Sequence, residues 1–339
     1  MTASGFTNIK FCLFNAENLF LMFDREPDES VLDLKDAQWK RLSSSIYPNK
    51  SLKKVLDISK ALQEIDADIV MLIEVGGLES LANLNKLFLS SQYSCYLVEG
   101  NSDRNIDVGF LVKKNLPFDI ELKSNKNRPI NYLYPHERES IEKGYSDSQN
   151  SSHYFSRDVV ELRLSQGENP AFLQILLTHL KSRLDPERID PNGFERRQAE
   201  LKTLLDIYTE SRSQNKIPTV VAGDFNGNAS RIETDEEFKE IYTRTDLLDV
   251  LEVCQLPQEE RATFYQVRNG GRADGRQIDF VFLSEELHPL VKPQSAFVYQ
   301  YKNHRGETLP PPRSLDAKSQ LPSDHYPLVF EIENLKLSL

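Results

Sequence analysis

Short, nearly continuous runs of apolar residues recur along the chain. Many residues in these runs are β-branched, and several runs lack alternating polar positions, which is typical of strands covered on both faces. The sequence predicts eight strands, over residues 9–14, 68–75, 108–112, 159–164, 172–177, 219–222, 278–283 and 328–332.

Helical periodicity occupies three of the intervals between these strands, because apolar residues recur there at spacings of three and four. The predicted helices contain Leu52, Val55, Leu56, Leu62 and Ile65 in the first, Leu78, Leu81, Leu84 and Phe88 in the second, and Leu201, Leu204, Leu205 and Tyr208 in the third. The pattern favours an α/β fold in which helices flank two packed sheets.

Two polar, proline-containing stretches interrupt this pattern, at residues 114–154 and 299–322. We expect them to be long loops of a single domain over residues 1–339, since the sequence shows no repeat and no linker. In the first stretch, Tyr132, Tyr134 and Tyr145 could pack the loop onto the sheets or stack on nucleic-acid bases.

Charge and composition limit the classes of function that the chain can have. The 339 residues are 39% hydrophobic, which is enough for a large core, and 41 basic against 52 acidic residues give a net charge of −11. This balance argues against a nucleic-acid coat, whose affinity depends on many Lys and Arg side chains. Local phosphate recognition and a metal site remain open, because a divalent cation can dominate the local field.

The cysteines and the N-terminal residues indicate in which cellular compartment the protein is expected. Cys12, Cys95 and Cys254 are widely separated and form no CxxC pair, so the sequence predicts neither a disulfide framework nor a thiolate zinc site. The first residues lack the pattern of a secretory signal, and no apolar run approaches the length of a membrane span. We expect a cytoplasmic protein without a membrane partner, unless a leader has been removed; the sequence carries no signal for an oligomeric state.

Polar residues with catalytic chemistry stand at the ends of the predicted strands. Carboxylates in such places are costly unless a cation or a hydrogen-bond donor compensates them. The residues concerned are Asn15, Glu17, Glu74, His179, Asp224, Asn226, Asp279, Asp324 and His325. Among them, the oxygen ligands of Asn15, Glu74, Asp224 and Asp324 would suit Mg²⁺ or Mn²⁺ rather than zinc.

Each residue also has a structural interpretation. Glu74 could cap a loop or the following helix, residues 223–227 could form an ordinary turn, and His179 and His325 could be buried histidines with hydrogen-bond partners. Turn propensity does not require carboxylates and histidines at the ends of six separate runs. The combination therefore favours an enzyme.

Six motifs give the chain a family resemblance. In order they are FNAENLF (14–20), DIVMLIEV (68–75), THL (178–180), GDFN (223–226), IDFV (278–281) and SDHYP (323–327). Their types and order resemble the endonuclease/exonuclease/phosphatase superfamily, which includes DNase I-like nucleases, abasic-site endonucleases, sphingomyelinases and inositol polyphosphate 5-phosphatases. The resemblance spans nearly the whole chain and implies a four-layer α/β sandwich, with two packed mixed β-sheets between helices.

The resemblance also implies roles. Asn15, Glu74 and Asp324 resemble ligands of a Mg²⁺ or Mn²⁺ ion, with Glu17 as a helper at a position where the family varies. His325 resembles the general base toward water, or a phosphate contact in rival schemes, and Asp279 resembles the acid that orients it. Asp224 and Asn226 resemble the pair that positions the nucleophile and holds a phosphate oxygen, while His179 and Arg157 resemble phosphate-binding residues.

Two basic groups could contact further parts of a substrate. Lys181, Arg183, Arg188, Arg196 and Arg197 follow His179 and could bind neighbouring phosphates, or form a solvated helix face that pairs with Glu195 and Glu200. Arg268, Arg272 and Arg276 stand among glycines and predict a flexible loop able to touch a substrate backbone.

The sequence thus predicts a divalent-metal-dependent phosphoesterase, with nucleic acid as the expected substrate. An oriented water, a proton acceptor and positive charge on the phosphate oxygens are what phosphoester hydrolysis requires. One alternative is a phosphatase or phosphodiesterase for a small or lipid-derived phosphoester. Another is a non-catalytic binding protein on the same scaffold.

Overall fold

A computed structural model describes residues 5–145 and 152–337. Its strands are β1 (Phe6–Leu19), β2 (Ile69–Val75), β3 (Tyr93–Leu97), β4 (Asp107–Lys113), β5 (Asp119–Ser124), β6 (Val159–Ser165), β7 (Leu173–His179), β8 (Thr219–Asp224), β9 (Leu248–Asp249), β10 (Phe264–Arg268), β11 (Arg272–Arg276), β12 (Asp279–Leu283), β13 (Phe297–Val298) and β14 (Leu328–Lys336). Its α-helices are α1 (Asp36–Trp39), α2 (Leu52–Ile65), α3 (Gly77–Phe88), α4 (Pro135–Glu142), α5 (Phe194–Asn215), α6 (Lys239–Arg244), α7 (Val250–Val253) and α8 (Leu315–Ser319).

Two mixed sheets of six strands form the centre of the fold. The first has the order β13-β14-β1-β2-β4-β3 and the second β5-β6-β7-β8-β12-β9. In each sheet one pair of strands is parallel, β1 with β2 and β7 with β8, and the other neighbours are antiparallel. The predicted α/β sandwich of two packed mixed sheets is confirmed.

Strand β8 shows how the apolar runs build four layers. Val220 and Ala222 belong to the large core that both sheets share with α2 and α3, whereas Val221 belongs to a second core that includes residues of α5 and α6. Successive side chains of a strand point to opposite faces of the sheet, so an unbroken apolar run fills both cores.

All eight predicted strands and all three predicted helices are present. The helix faces differ in detail, because Leu56 and Leu78, which were predicted to be on apolar faces, are 43% and 45% exposed. The long stretch 114–154 contains β5 and α4, and the stretch 299–322 contains α8. Tyr132 and Tyr134 are buried, as expected of residues that pack the first stretch onto the sheets, while Tyr145 is exposed.

The predicted flexible loop around Arg268, Arg272 and Arg276 is instead the antiparallel hairpin β10–β11. Its strands are polar and partly exposed, so no apolar run marks them. Across residues 5–145 and 152–337, no helix combines the length and apolar character needed to cross a membrane. Cys12, Cys95 and Cys254 are free thiols.

Candidate active site

The ends of three adjacent strands align three polar side chains. His179 ends β7, Asp224 ends β8, and Asp279 begins β12. Asp224 lies opposite His179 on one side and opposite Asp279 on the other. All three residues are buried, with exposed fractions of 3% or less. The register of the second sheet therefore places an imidazole and two carboxylates side by side in the interior.

Irregular pairing in the first sheet turns two further residues toward this point. The pairing of β1 with β2 shifts between Asn15 and Leu19, and the pairing of β2 with β4 shifts between Ile73 and Val75. Glu74 lies inside the second irregularity, with a φ of 61°. Such bulges redirect side chains, and they are common beside functional sites. Asn15 Nδ2 donates a hydrogen bond of 3.0 Å to Asp224 Oδ2, which links the two sheets.

His325 is held against Asp279 from the loop before β14. Its Nδ1 lies 2.8 Å from Asp279 Oδ2, while its Nε2 lies 3.9 Å from Asp224 Oδ2 and 3.8 Å from Asp324 Oδ1. Ser323 Oγ accepts from the His325 N–H and donates to the carbonyl of Asn15, and Tyr301 Oη donates to the His325 carbonyl. The imidazole is thereby fixed on both its backbone and its ring.

Burial and charge perturb the groups of this cluster. Burial opposes the charged form of His325, but Asp279, Asp224 and Asp324 outweigh it and raise the pKa of His325 to about 10. Burial, together with the charge of Asp279, raises the pKa of Asp224 to about 7. The charge of His325 lowers the pKa of Asp224 but does not outweigh burial and Asp279. An additional cation would therefore stabilise the ionised carboxylates of this cluster.

His179 and Arg157 supply buried nitrogen atoms without protein partners. Among the described residues, no hydrogen-bond partner reaches His179 Nδ1 or Arg157 Nε. Burial and then the charge of Arg157 lower the pKa of His179 well below its ordinary value, so its ring is neutral. Buried donors are normally satisfied. Arg157 Nε is therefore available as a donor to an anionic ligand, and His179 Nδ1 can donate in the tautomer that leaves Nε2, 3.6 Å from Asp224 Oδ2, without a hydrogen.

The predicted metal ligands do not all remain free. Glu17 Oε2 lies 3.1 Å from the ammonium groups of both Lys50 and Lys54. Asp324 Oδ2 lies 3.3 Å from Lys318 Nζ. Burial opposes ionisation of Asp324, but His325 and Lys318 together lower its pKa. Lysines therefore already compensate two of the four acids and amides assigned to the metal.

The side-chain oxygens of Glu74 and Asn15 have fewer charged partners than those of Glu17 and Asp324. Glu74 Oε2 accepts from the Asn18 N–H at 3.0 Å and lies 4.0 Å from Arg104 Nη2. Asn15 Oδ1 accepts from the Glu17 N–H at 3.0 Å. Carboxylate and amide oxygens of this kind are suitable ligands for a hard divalent cation. The negative charge of Glu74 also contributes to the raised pKa of Asp224, so a cation bound near Glu74 would relieve both acids.

A second set of atoms could also hold a cation. One ligand atom from each of Asp224, Asp279 and His325 lies within 4.8 Å of the others. Asp279 Oδ1 is buried without a partner in the described part of the chain. However, a cation bound to His325 Nδ1 would displace the 2.8 Å hydrogen bond to Asp279. A cation on the side of Glu74 and Asn15 would leave the bond between His325 and Asp279 intact.

The other predicted substrate residues lie around this centre with partners of their own. Lys181 Nζ donates to the carbonyls of Leu184 and Ser182 at 2.7 and 3.2 Å. Arg183 pairs with Asp235, and its Nε donates to the Asn226 carbonyl at 3.0 Å. The Asn226 N–H donates to Asp224 Oδ1 at 2.8 Å, while its side-chain amide donates to the Leu180 carbonyl. Asn226 thus orients Asp224 through its backbone.

Helix α5 corrects one part of the solvated-face interpretation, since Arg197 is buried, whereas the expected pairing with Glu200 is present for Arg196. Arg197 is 1% exposed and pairs with Glu237 at 2.5 Å. Arg196 bonds the hydroxyl of Tyr134 at 3.1 Å, and its Nε lies 3.5 Å from Glu200. These side chains hold the surrounding loops together. Sequence spacing alone showed only that they share a helix.

Two residues near the site, Arg104 and Lys318, carried no clear signal in the sequence, and a third, Ser323, stood in the SDHYP motif without an assigned role. Arg104, beside Glu74, comes from a polar loop with no apolar anchor. Lys318, which also lies 3.5 Å from the centre of the Phe264 ring, comes from the short helix α8. Ser323 directly precedes the Asp324-His325 pair, and that position could have suggested that it anchors the backbone of His325.

Two cavities adjoin the centre. One of about 880 Å³ is lined by Arg104, Arg157, Lys181 and Arg196, together with Tyr134 and Tyr154. The other, of about 860 Å³, is lined by Arg183, Arg261, Arg272 and Arg276, and by Ile278, the residue before Asp279. Acidic residues such as Asp103 and Asp235 also line them.

The two packed six-stranded sheets, with their flanking helices, define a DNase I-like α/β sandwich. The model of the Endonuclease/Exonuclease/phosphatase family matches residues 43–325, and the chain belongs to this family. No curated protein gives a significant match to the chain.

Solved structures with the same fold include a protein in complex with DNA and a sugar phosphatase. Truncated Caenorhabditis elegans TDP2 is 18% identical, with 96% of this chain and 98% of that chain covered and a TM-score of 0.56. D. rerio TDP2 complexed with a single strand DNA product is 14% identical, with 96% and 98% covered and a TM-score of 0.54. The mannosyl-6-phosphatase Bt3783 of Bacteroides thetaiotaomicron VPI-5482 is 15% identical, with 95% and 98% covered and a TM-score of 0.55.

Proposed function

We propose that this protein is a divalent-metal-dependent phosphodiesterase that hydrolyses nucleic acid through attack of water on phosphorus. The observation that carries the proposal is the buried pair of His325 and Asp279, 2.8 Å apart, beside the open nitrogens of Arg157 and His179. This arrangement supports the proposal, because His325 would act as the proton-transfer group and the two nitrogens as anion-binding donors. Phosphoester hydrolysis needs both.

The residues divide the chemistry among them. Arg157 and His179 bind non-bridging phosphate oxygens, with the guanidinium offsetting their charge. Asp279 fixes the orientation and tautomer of His325 through Nδ1, which leaves Nε2 to receive the proton of the attacking water. Asp224, aligned by Asn15 and the Asn226 N–H, accepts a hydrogen bond from that water.

The protonation of His325 depends on the charge around it. With the carboxylates uncompensated, the pKa of His325 lies at about 10, and the imidazolium would donate to a phosphate oxygen rather than accept a proton. A divalent cation held by Glu74 and Asn15 would supply positive charge that stabilises the phosphate oxygens and offsets the carboxylates. His325 could then accept a proton near neutral pH. The same geometry accommodates both roles that the sequence left open.

Nucleic acid is the proposed substrate because two cavities, each with several arginines, adjoin the site, one at Arg157 and the other at Ile278 beside Asp279. A polynucleotide has phosphates on both sides of the bond that is cut. The D. rerio TDP2 structure with its DNA product supports this choice by likeness of fold.

A small phosphoester is the second candidate. It is favoured by the net charge of −11, by the acidic residues in both cavities, and by the likeness to a mannosyl-6-phosphatase. A small substrate would occupy one cavity and need no extended basic surface.

The test is nicking of supercoiled plasmid by wild-type protein and by His325→Ala, each with Mg²⁺, with Mn²⁺ and with EDTA. We expect nicking that requires both the metal ion and His325. In a parallel assay, release of inorganic phosphate from a hexose 6-phosphate measures monoesterase activity. An intact plasmid together with metal-dependent phosphate release would replace the first candidate by the second.

A further inference from the structure

One buried carboxylate outside the catalytic cluster holds two backbone segments at once. Glu200, on α5, is 0% exposed. Its Oε1 accepts from the N–H of Ser156 at 2.7 Å, and its Oε2 accepts from the N–H of Lys181 at 2.6 Å. Ser156 directly precedes Arg157, and Lys181 is the second residue after His179. The carboxylate thus bridges the segments that carry both open nitrogens.

The same helix holds the second segment from its other side. Arg197, three residues before Glu200 and therefore on the same helix face, donates through Nη1 to the Lys181 carbonyl at 3.1 Å. The peptide groups around Lys181 are consequently fixed by both a donor and an acceptor from α5. A network of this kind restricts where the preceding His179 ring can lie.

Charge adds to the geometric argument. Burial lowers the pKa of Arg157, and the charge of Glu200 is the largest opposing influence. Glu200 acts in the same direction on Lys181 and Arg196. One carboxylate therefore helps to keep the cations of this cavity wall charged where solvent is excluded.

We propose that Glu200 is a positioning residue, which holds Arg157 and His179 in the spacing that binds a substrate phosphate. It touches neither phosphate nor water itself. The inference rests on the proposed phosphoesterase function for its catalytic consequence, but its consequence for anion binding can be measured independently of turnover.

The experiment replaces the carboxylate by an amide of the same size. Glu200→Gln removes the charge and turns an NH₂ group toward one of the two N–H donors, so that one hydrogen bond is lost. Glu210→Gln is the matched control, because Glu210 lies on the same helix and pairs with Arg128 at an exposed position. We expect Glu200→Gln to reduce kcat/KM for plasmid nicking about 10- to 100-fold, the scale of a misplaced contact. The control should stay within about twofold, since surface pairs contribute little.

Two readouts separate positioning from mere stability. Partial unfolding would lower kcat at unchanged KM, whereas displaced phosphate contacts raise KM. In a background with both Arg157→Ala and His179→Ala, the effect of Glu200→Gln should shrink to less than about threefold, because residues that act through one another are not additive. An unchanged KM, or a full-sized effect in that background, would overturn the inference.

Binding of inorganic phosphate, measured by calorimetry in the presence of Mg²⁺, tests the inference if no substrate is cut. We expect about tenfold weaker binding by Glu200→Gln and unchanged binding by Glu210→Gln. Wild-type protein that binds phosphate but cleaves nothing would refute the proposed function and leave the role of Glu200 intact. Equal phosphate affinities for wild type and Glu200→Gln, or no phosphate binding by either, would refute the role of Glu200.

Discussion

The pairing of His325 with Asp279 makes a sharp prediction for the substitution Asp279→Asn. Asparagine has the same shape, so the register of β12 against β8 should be preserved. Its amide nitrogen can donate to His325 Nδ1, which would place the ring proton on Nε2. The imidazole would then present a donor where the mechanism needs an acceptor.

The size of the effect follows from the geometry. Opposite charges at the observed distance of 2.8 Å interact by about 6 kcal/mol at an effective dielectric constant of 20. This value is a ceiling, because the amide keeps a hydrogen bond to the ring. Since about 1.4 kcal/mol corresponds to a factor of ten, we expect kcat to fall about 100- to 10,000-fold. Substrate affinity should change little, because Asp279 contacts no phosphate in the proposed complex.

The assay is the initial rate of plasmid nicking with Mg²⁺, with circular dichroism to verify folding. Asp249→Asn is the matched control, because Asp249 is also a buried aspartate and lies on β9, next to β12 in the same sheet. It makes no hydrogen bond to His325; its partners are Gln277 and the Leu251 N–H. A folded Asp279→Asn protein that cuts at a rate within about threefold of wild type would refute the assigned role of the pair.

Two further predictions address the metal ion and the pH dependence of stability. Glu74→Gln should weaken the apparent affinity for Mg²⁺ in the nicking assay by about 10- to 100-fold. Glu17→Gln should leave this affinity within about threefold of wild type, because Glu17 is paired with Lys50 and Lys54. Equal metal titrations for the two variants would contradict the proposed cation site. Burial raises the pKa of Asp249 from 3.8 to about 6, so its stabilising contribution is complete below pH 3.8 and is lost as the pH rises through 6. Asp249→Asn should remove about 2 kcal/mol from the difference between the free energies of unfolding at pH 4 and pH 7, measured with urea. An unchanged difference would show that Asp249 is not the titrating group.

The parts of the fold that the sequence predicted are those whose physical cause is local. Strands such as β2 and β8 are buried on both faces, so a run of apolar residues marks them directly. Strand β5 has alternating exposed and half-exposed residues at a sheet edge, and the β10–β11 hairpin is polar, so neither leaves an apolar run. Their pairing is decided by neighbours distant in the chain.

In the candidate site, too, the sequence predicted features with a local cause and missed those that depend on distant residues. Strand ends pointed to Asp224 and Asp279, because a carboxylate beside an apolar run demands an explanation. The lysines that compensate Glu17 and Asp324 come from other parts of the chain, and nothing in their local sequence reveals the pairing. Glu200 looked like one member of a charged helix face, and only the tertiary structure shows that it is fully buried.

The hydrogen bond from Ser323 Oγ to the Asn15 carbonyl joins residues 308 positions apart. It lies beside the antiparallel pairing of β1 with β14, so the imidazole reaches its partners only after β14 has docked against β1. Contacts between such distant segments form late in folding. During synthesis, a chain that already carries Glu74, His179 and Asp224 would therefore still lack a working centre until the segment with His325 had emerged from the ribosome. Under the proposed function, hydrolytic activity would begin only with the folded protein, and translation products that end before His325 would be inert.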